Sequence, residues 1–257
     1  LHDAHTKLEE DLKKEALTEV YEKIEKPLIP VIDTVNQNGV SIDEPYLKKL
    51  SKEYHTELDK IAARIYQHAG VEFNINSPKQ LGEILFEKLD IKAAGGRRKK
   101  TATGQLSTKE SELIKLKDEH PIIDDILQYR ELAKLLGTYI DAIPPLLGED
   151  GRLRTTFSQT GAATGRFSSR DPNLQNIPIK SESGRKIRRA FVAGEGKLLA
   201  SFDYSQIELR LAAFLSGDEK LIQIFKDGED VHESVAAQMF NVSPTEVTKE
   251  MRRRAKV

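Results

Sequence analysis

The sequence predicts an α+β fold, a sheet layered with helices, and three observations lead there. Apolar residues recur at helical spacing through the first half of the chain, the pattern turns to short alternating runs after Pro144-Pro145, and helical spacing returns from Gln206. The 257 residues suffice for one large domain or for two to three small ones around a sizeable core.

From Lys7 to Tyr21 the pattern is charged and helical, and Pro27 and Pro30 are expected to interrupt it before Val31–Val35 and the Asn38-Gly39 turn signal. After Ser41–Pro45, the residues Tyr46, Leu47, Leu50, Tyr54, Leu58, Ile61, Ala62 and Ile65 follow helical spacing, which predicts a long amphipathic helix ending near Gly70. Asn76-Ser77-Pro78 places a capping residue before a proline at the first helical position, and Leu81, Ile84, Leu85 and Leu89 form the stripe of a second helix. Ser107–Leu116 and Ile122–Leu136 read as two more. Arg152–Gln159 then alternates as a strand, Ala190-Phe191-Val192 begins another, and Lys197–Asp203 is expected as a third, apolar enough to be central. From Gln206 the chain is helical in segments broken at Gly217, Gly228 and Ser243-Pro244, and no internal repeat is present.

Composition narrows the function classes. Forty Lys plus Arg against 41 Asp plus Glu leave a net charge of −1, which by itself predicts neither a nucleic-acid nor a membrane partner. The absence of Cys excludes a disulfide scaffold, a thiolate zinc site and a cysteine nucleophile. With 32% charged residues, a mean hydropathy of −0.50 and no apolar run near the roughly 18 residues a spanning helix needs, a soluble chain is expected. Residue 1 is Leu, no signal segment follows it, and Met251–Val257 reads as mid-helix, so an internal piece of something longer is expected.

Several positions carry chemistry. In Phe202–Arg210 a buried strand is expected to run directly into a helix with an apolar face of Ile207, Leu211, Phe214 and Leu215. Asp203 stands at that junction, placed either to hold a cation or simply to cap the helix. The Gly-rich stretch with Arg97, Arg98, Lys99 and Lys100 is either a solvated hinge or a phosphate-backbone contact, since mobile cations gain affinity by releasing counterions. Ser243–Glu246 reads as a capping box opening a helix on which Arg252 and Lys256, four apart, share one face. A solvated basic helix end is the plain alternative.

Phe202–Arg210 closely resembles motif A of the family A DNA polymerases. Thr164–Ser169 and Asp171–Pro178 resemble the segment of that family that tracks the primer-template minor groove, and Asp230-Val231-His232 and Arg252–Lys256 resemble the fingers histidine and the opening of motif B. Glu25–Leu28, Gly39–Asp43, Asn74–Ser77 and Tyr129–Leu132 also fit, so the resemblance spans almost the whole chain; Phe167 stands where Leu is usual.

The resemblance implies a partial right hand: a helical thumb, an antiparallel palm sheet and partial helical fingers. Residues 1–26 would end a preceding exonuclease-like domain, 27–45 be a first palm segment, 46–137 the thumb, 138–213 the palm with motif A, and 214–257 partial fingers. It implies extension of a primer 3′-hydroxyl with deoxynucleoside triphosphates by two-metal phosphoryl transfer. Mg²⁺ would be held in part by Asp203 and the carbonyl of Tyr204. A second carboxylate should come from a His-Asp-Glu motif C, and the chain's sole His-Asp pair is His2-Asp3, ahead of motif A. Activity of this piece alone is therefore not expected.

By the same resemblance His232, Arg252 and Lys256 contact the triphosphate, and Glu208, supported by Gln206, excludes a ribose 2′-hydroxyl. On residues alone, Glu208 is equally an exposed helix glutamate. Arg166 is assigned to minor-groove acceptors common to all correct pairs, with Asn173, Gln175 and Asn176 adding donors or merely forming a turn. Arg185, Lys186, Arg188 and Arg189 suit phosphates, and Arg130 and Lys134, one turn apart, would hold the duplex backbone with Arg97–Lys100. The implied partners are primer-template DNA and deoxynucleoside triphosphates, with no membrane, for a monomeric, cytoplasmic, nucleoid-associated bacterial enzyme. A single-subunit RNA polymerase and a non-catalytic DNA-binding remnant are the alternatives.

Overall fold

A computed structural model describes residues 2–92, 106–179 and 181–255. The chain divides into two compact units, 1–199 and 200–257, and the expected boundary at 213/214 falls inside the second.

The first unit opens with α1 (His2–Lys14) and α2 (Thr18–Val20), which runs through a π turn, Tyr21–Glu25, into α3 (Lys26–Asn38). Pro27 and Pro30 do not interrupt the helix. The helix runs on through both, with the π turn Tyr21–Glu25 directly before Lys26. At the end of α3, Gly39 adopts φ +58°, and a Cβ there would run into the Leu153 carbonyl. Only glycine allows the chain to turn so tightly into β1 (Val40–Ile42).

Asp43 caps α4 (Glu44–Ala69) by accepting the Tyr46 amide at 2.9 Å, and Gly70 ends it in the left-handed conformation, as the spacing predicts. Ser77 caps α5 (Pro78–Gly82), which continues as a π turn to Lys88. The predicted helix over 107–116 is shorter: Ser107 and Thr108 are buried non-helical residues, and α6 (Glu110–Leu113) with a 3₁₀ turn follows them. Next, α7 (Ile122–Leu135) runs on through a π turn to Ile140.

Leu47, Leu50, Ile61 and Ile65 of α4 pack with Ile122, Ile123, Ile126, Leu135 and Ile140, joined by Leu81, Leu85 and Leu113. Each such side chain contributes about 1.5–3 kcal/mol on burial. This is the main core of the first unit.

The region after Pro145 forms two small sheets. Arg152–Gln159 is not one strand: β2 (Arg152–Leu153) and β3 (Thr156–Ser158) separate at Arg154-Thr155 and enter different sheets. Antiparallel order β2-β1-β5 sets Val40 opposite Leu153 and Ile42 opposite Phe191 of β5 (Phe191–Val192). β3 pairs with β4 (Ser168–Arg170), Phe157 opposite Ser169. Between β4 and β5, Ser181 caps α8 (Glu182–Arg188). Tyr46 and Tyr54 of α4 donate their hydroxyls to the α8 carbonyls of Lys186 and Ser183.

The expected central strand over Lys197–Asp203 is not formed. Its residues pair with no strand among those described, and Leu198 and Phe202 are 94% and 95% exposed. An apolar run becomes a central strand only when ladder partners flank it on both sides.

The second unit holds α9 (Ile207–Ser216), α10 (Glu219–Lys226), α11 (Val231–Phe240) and α12 (Lys249–Ala255). Among its described residues the buried ones are few and small: Ala213, Val231, Ser234, Ala236 and Ala237. The expected apolar face of α9 is largely exposed, with Phe214 and Leu215 at 79% and 80%.

Candidate nucleotide and nucleic-acid site

Asp203 lies four residues ahead of α9 in an unpaired, exposed segment rather than at a strand-to-helix junction. It does not cap the helix: Gln206, at φ 52°, is the capping position. Glu208 falls in the first turn of α9, where its charge complements the helix dipole. Because Asp203–Gln206 are non-helical, Glu208 is not one helical turn beyond Asp203.

Arg210, to which sequence reasoning gave no role, organises this corner. Its Nε donates to the Ser205 carbonyl at 2.9 Å, closing the turn that follows Tyr204, and its guanidinium stacks 4.5 Å above the Phe225 ring, tying α9 to α10. Asp203 and the Tyr204 carbonyl supply oxygen donors of the kind Mg²⁺ takes. Among the described residues no cluster of three His, Cys, Asp or Glu side chains could hold a metal ion.

The next two candidates meet through a residue that was not singled out. Asp230 caps α11, its Oδ1 accepting the His232 and Glu233 amides at 2.9 and 3.1 Å, while Oδ2 takes Arg252 Nη2 at 2.6 Å. The Arg252 guanidinium holds the Asp230 carboxyl below the usual carboxylate range. His232 and Arg252 are thus brought to one carboxylate from α11 and α12.

The capping box at Ser243 is present, with Glu246 accepting the Ser243 amide at 3.0 Å, but it closes only a 3₁₀ turn, Pro244–Glu246. Arg252 sits on a separate helix whose start is marked by Thr248 accepting the Met251 amide. Val247 and Thr248 break the two apart because the chain turns extended after the 3₁₀ turn. Arg253 and Arg254 both reach Glu250, at 2.6 and 3.3 Å. Lys256 lies outside the described residues, as do Arg97, Arg98, Lys99 and Lys100.

In the first unit, Arg166 is exposed on the loop joining β3 to β4, next to Gly165 at φ 77°. The segment after it is fixed from beneath. Thr155 and Ser169 share a buried hydroxyl contact of 2.7 Å, and Thr155 Oγ1 also donates toward the carbonyls of Arg170 and Pro172. Gln175 Nε2 donates to the Phe167 carbonyl at 2.9 Å, Asn173 Oδ1 accepts the Gln175 amide at 3.0 Å, and the Asn176 carbonyl accepts the Tyr139 hydroxyl at 2.7 Å. Asn173, Gln175 and Asn176 therefore shape the loop that presents Arg166.

Arg130 and Lys134 do not form an outward pair. Lys134 is exposed, but Arg130 is half-buried and donates to the carbonyl and, at 3.5 Å, the hydroxyl of Thr108. Burial pushes its pKa down. The turn of α7 that carries Arg130 faces the segment leading into α6, which a one-turn spacing cannot reveal. In the α8 cluster, Lys186 pairs with Glu53 at 3.3 Å and Arg188 donates to the Ile177 carbonyl at 3.1 Å; Arg185, Arg188 and Arg189 are all exposed.

A sequence model described as DNA polymerase family A matches residues 44–257. The chain belongs to that family. It is 50% identical over 97% of its length to the thermostable DNA polymerase I of Thermus thermophilus, covering 30% of that protein. It is 46% identical over 97% of its length to the DNA polymerase I of Chloroflexus aurantiacus, covering 27% of it. Among solved structures, the POL domain of Pol1 from M. smegmatis, in complex with DNA primer-template and dNTP, matches at 40% identity and a TM-score of 0.88, over 97% of this chain and 43% of that one. The chain spans less than a third of the curated relatives it matches.

Proposed function

We propose that this chain is part of a DNA-directed DNA polymerase that extends a primer 3′-hydroxyl with deoxynucleoside triphosphates. The observation that carries this is the exposed Asp203 in the segment leading into α9, inside a stretch matched by the family from residue 44 to residue 257. The DNA and dNTP named for the M. smegmatis relative support the same partners here.

Asp203 and the Tyr204 carbonyl would hold Mg²⁺ in part, which when bound stabilises charge on the attacking and leaving oxygens. His232 and Arg252 are assigned to the triphosphate, and Lys256 to the same group on the strength of the sequence. Arg252 suits this task because a guanidinium is permanently charged and forks onto phosphate oxygens. Glu208, near Gln206, excludes a ribose 2′-hydroxyl by crowding it and leaving it unpaired. Arg166 reads minor-groove acceptors, held in place by the Asn173–Asn176 turn, and Lys134 and Arg97–Lys100 contact phosphates. Work in the bacterial cytoplasm at the nucleoid fits these partners.

Primer extension tests the assignment. In the complete polymerase that contains these residues, Asp203→Asn is expected to abolish extension while leaving duplex binding within about twofold, because one lost ligand removes metal-dependent transition-state stabilisation rather than phosphate contacts. Extension at the unsubstituted rate would overturn it. The 257-residue chain alone is expected to add no nucleotide above background.

A further inference from the structure

We propose that Asp230 is a positioning residue, which holds the Arg252 guanidinium aimed at the polyphosphate of an incoming nucleotide. The proposal rests on the assignment of Arg252 to the triphosphate above and extends it to a residue that itself touches no substrate.

The geometry divides one carboxylate between two tasks. Oδ1 is pinned by the first turn of α11, since it accepts both the His232 and the Glu233 amides. Oδ2 then stands at a defined place relative to α11 and takes Arg252 Nη2 at 2.6 Å from across 22 residues of sequence. A cap that merely finished a helix would need the first contact and not the second.

Arg252 needs such a reference. It sits on the seven-residue α12, and an unrestrained arginine samples many rotamers, so ordering it only when nucleotide arrives would weaken binding. The pair engages Nη2, and a guanidinium has five N–H donors, so one carboxylate oxygen leaves the fork able to meet a phosphate. The side chains of Arg252 and Asp230 are 40% and 30% exposed, which leaves the guanidinium within reach of a solute. The Asp230 carboxyl, held below its ordinary range mainly by Arg252, is ionised throughout the neutral range. The other oxygen of the same carboxylate holds the His232 backbone amide.

Asp230→Asn isolates the effect, because asparagine caps a helix as well as aspartate does but offers no charge to Arg252. In the complete polymerase, steady-state primer extension is expected to show the dNTP KM raised about two- to fivefold, the range an exposed ion pair supports, with kcat changed less than about twofold. Placed in an Arg252→Ala background, the substitution is expected to raise KM no further, since its effect runs through Arg252. Asp230→Ser, another uncharged cap, is expected to match Asp230→Asn and serves if that variant unfolds. An unchanged or lowered KM, or an equal rise with Arg252 already removed, overturns the proposal. An Arg252→Ala variant with unchanged KM would instead overturn the assignment of Arg252 to the nucleotide.

Discussion

Replacing Arg130 by methionine separates a structural arginine from a DNA-binding one. The change keeps most of the side-chain volume and removes the guanidinium that donates to the Thr108 carbonyl and hydroxyl. Thr108 is only 6% exposed and its neighbour Ser107 7%, so water is poorly placed to replace the lost donor. A hydrogen bond from a charged group contributes about 1.5–3 kcal/mol. Burial already disfavours the charged guanidinium and offsets part of that gain, which places the expected loss near 2 kcal/mol. At roughly 2–4 °C per kcal/mol for a unit of this size, Tm should fall by about 4–8 °C. Thermal unfolding followed by circular dichroism measures this, and titration of primer-template duplex over a salt series supplies the second axis. Lys134→Met, on the exposed neighbour, is expected to leave Tm unchanged and to reduce the salt slope by about 1, the signature of one lost phosphate contact. An Arg130→Met protein with unmoved Tm and a salt slope lowered by about 1 would refute the reasoning.

Three further outcomes are expected. Glu208→Ala in the complete polymerase should raise ribonucleotide incorporation relative to deoxynucleotide, measured in paired extension assays; unchanged sugar selectivity defeats the assignment. The Arg154 guanidinium beside Asp150 lowers that carboxyl from its ordinary 3.8 to about 2, so the pair stabilises the folded chain above pH 3.8 and the contribution disappears as pH falls toward 2. Acid unfolding of Asp150→Asn should lack that component over this window, and a curve parallel to the unsubstituted protein's would contradict it. Gly39→Ala should cost more than about 1 kcal/mol in urea unfolding, because φ +58° and the Leu153 carbonyl both oppose a Cβ; an unshifted midpoint would show that the β1–β2 pair relaxes freely.

Local signals were legible wherever the cause is local. Ser77-Pro78, the α4 stripe and Gly70 appear where spacing and capping chemistry put them, because a helix is closed by hydrogen bonds within its own few turns. The expected interruption at Pro27 and Pro30 does not occur, and the π turn that precedes them is announced by no residue type. β1 and β4 escaped notice since three residues are too few to display a period, and they exist only through their partners, β2, β5 and β3. Arg130 was assigned with Lys134, one turn apart, to the duplex backbone, and its contact with Thr108, 22 residues away in sequence, is set by how α7 packs against the segment before α6.

Membership of DNA polymerase family A and the helical stretches around α4 and α7 follow from residue order, since motif and periodicity are written along the chain. Tertiary structure alone decided that Asp203 lies in an unpaired segment, that Gln175 and Asn176 brace the loop of Arg166, and that Asp230 joins His232 to Arg252. These are contacts in which a side chain's partner is chosen by how separate elements pack, and no window of neighbouring residues contains that choice.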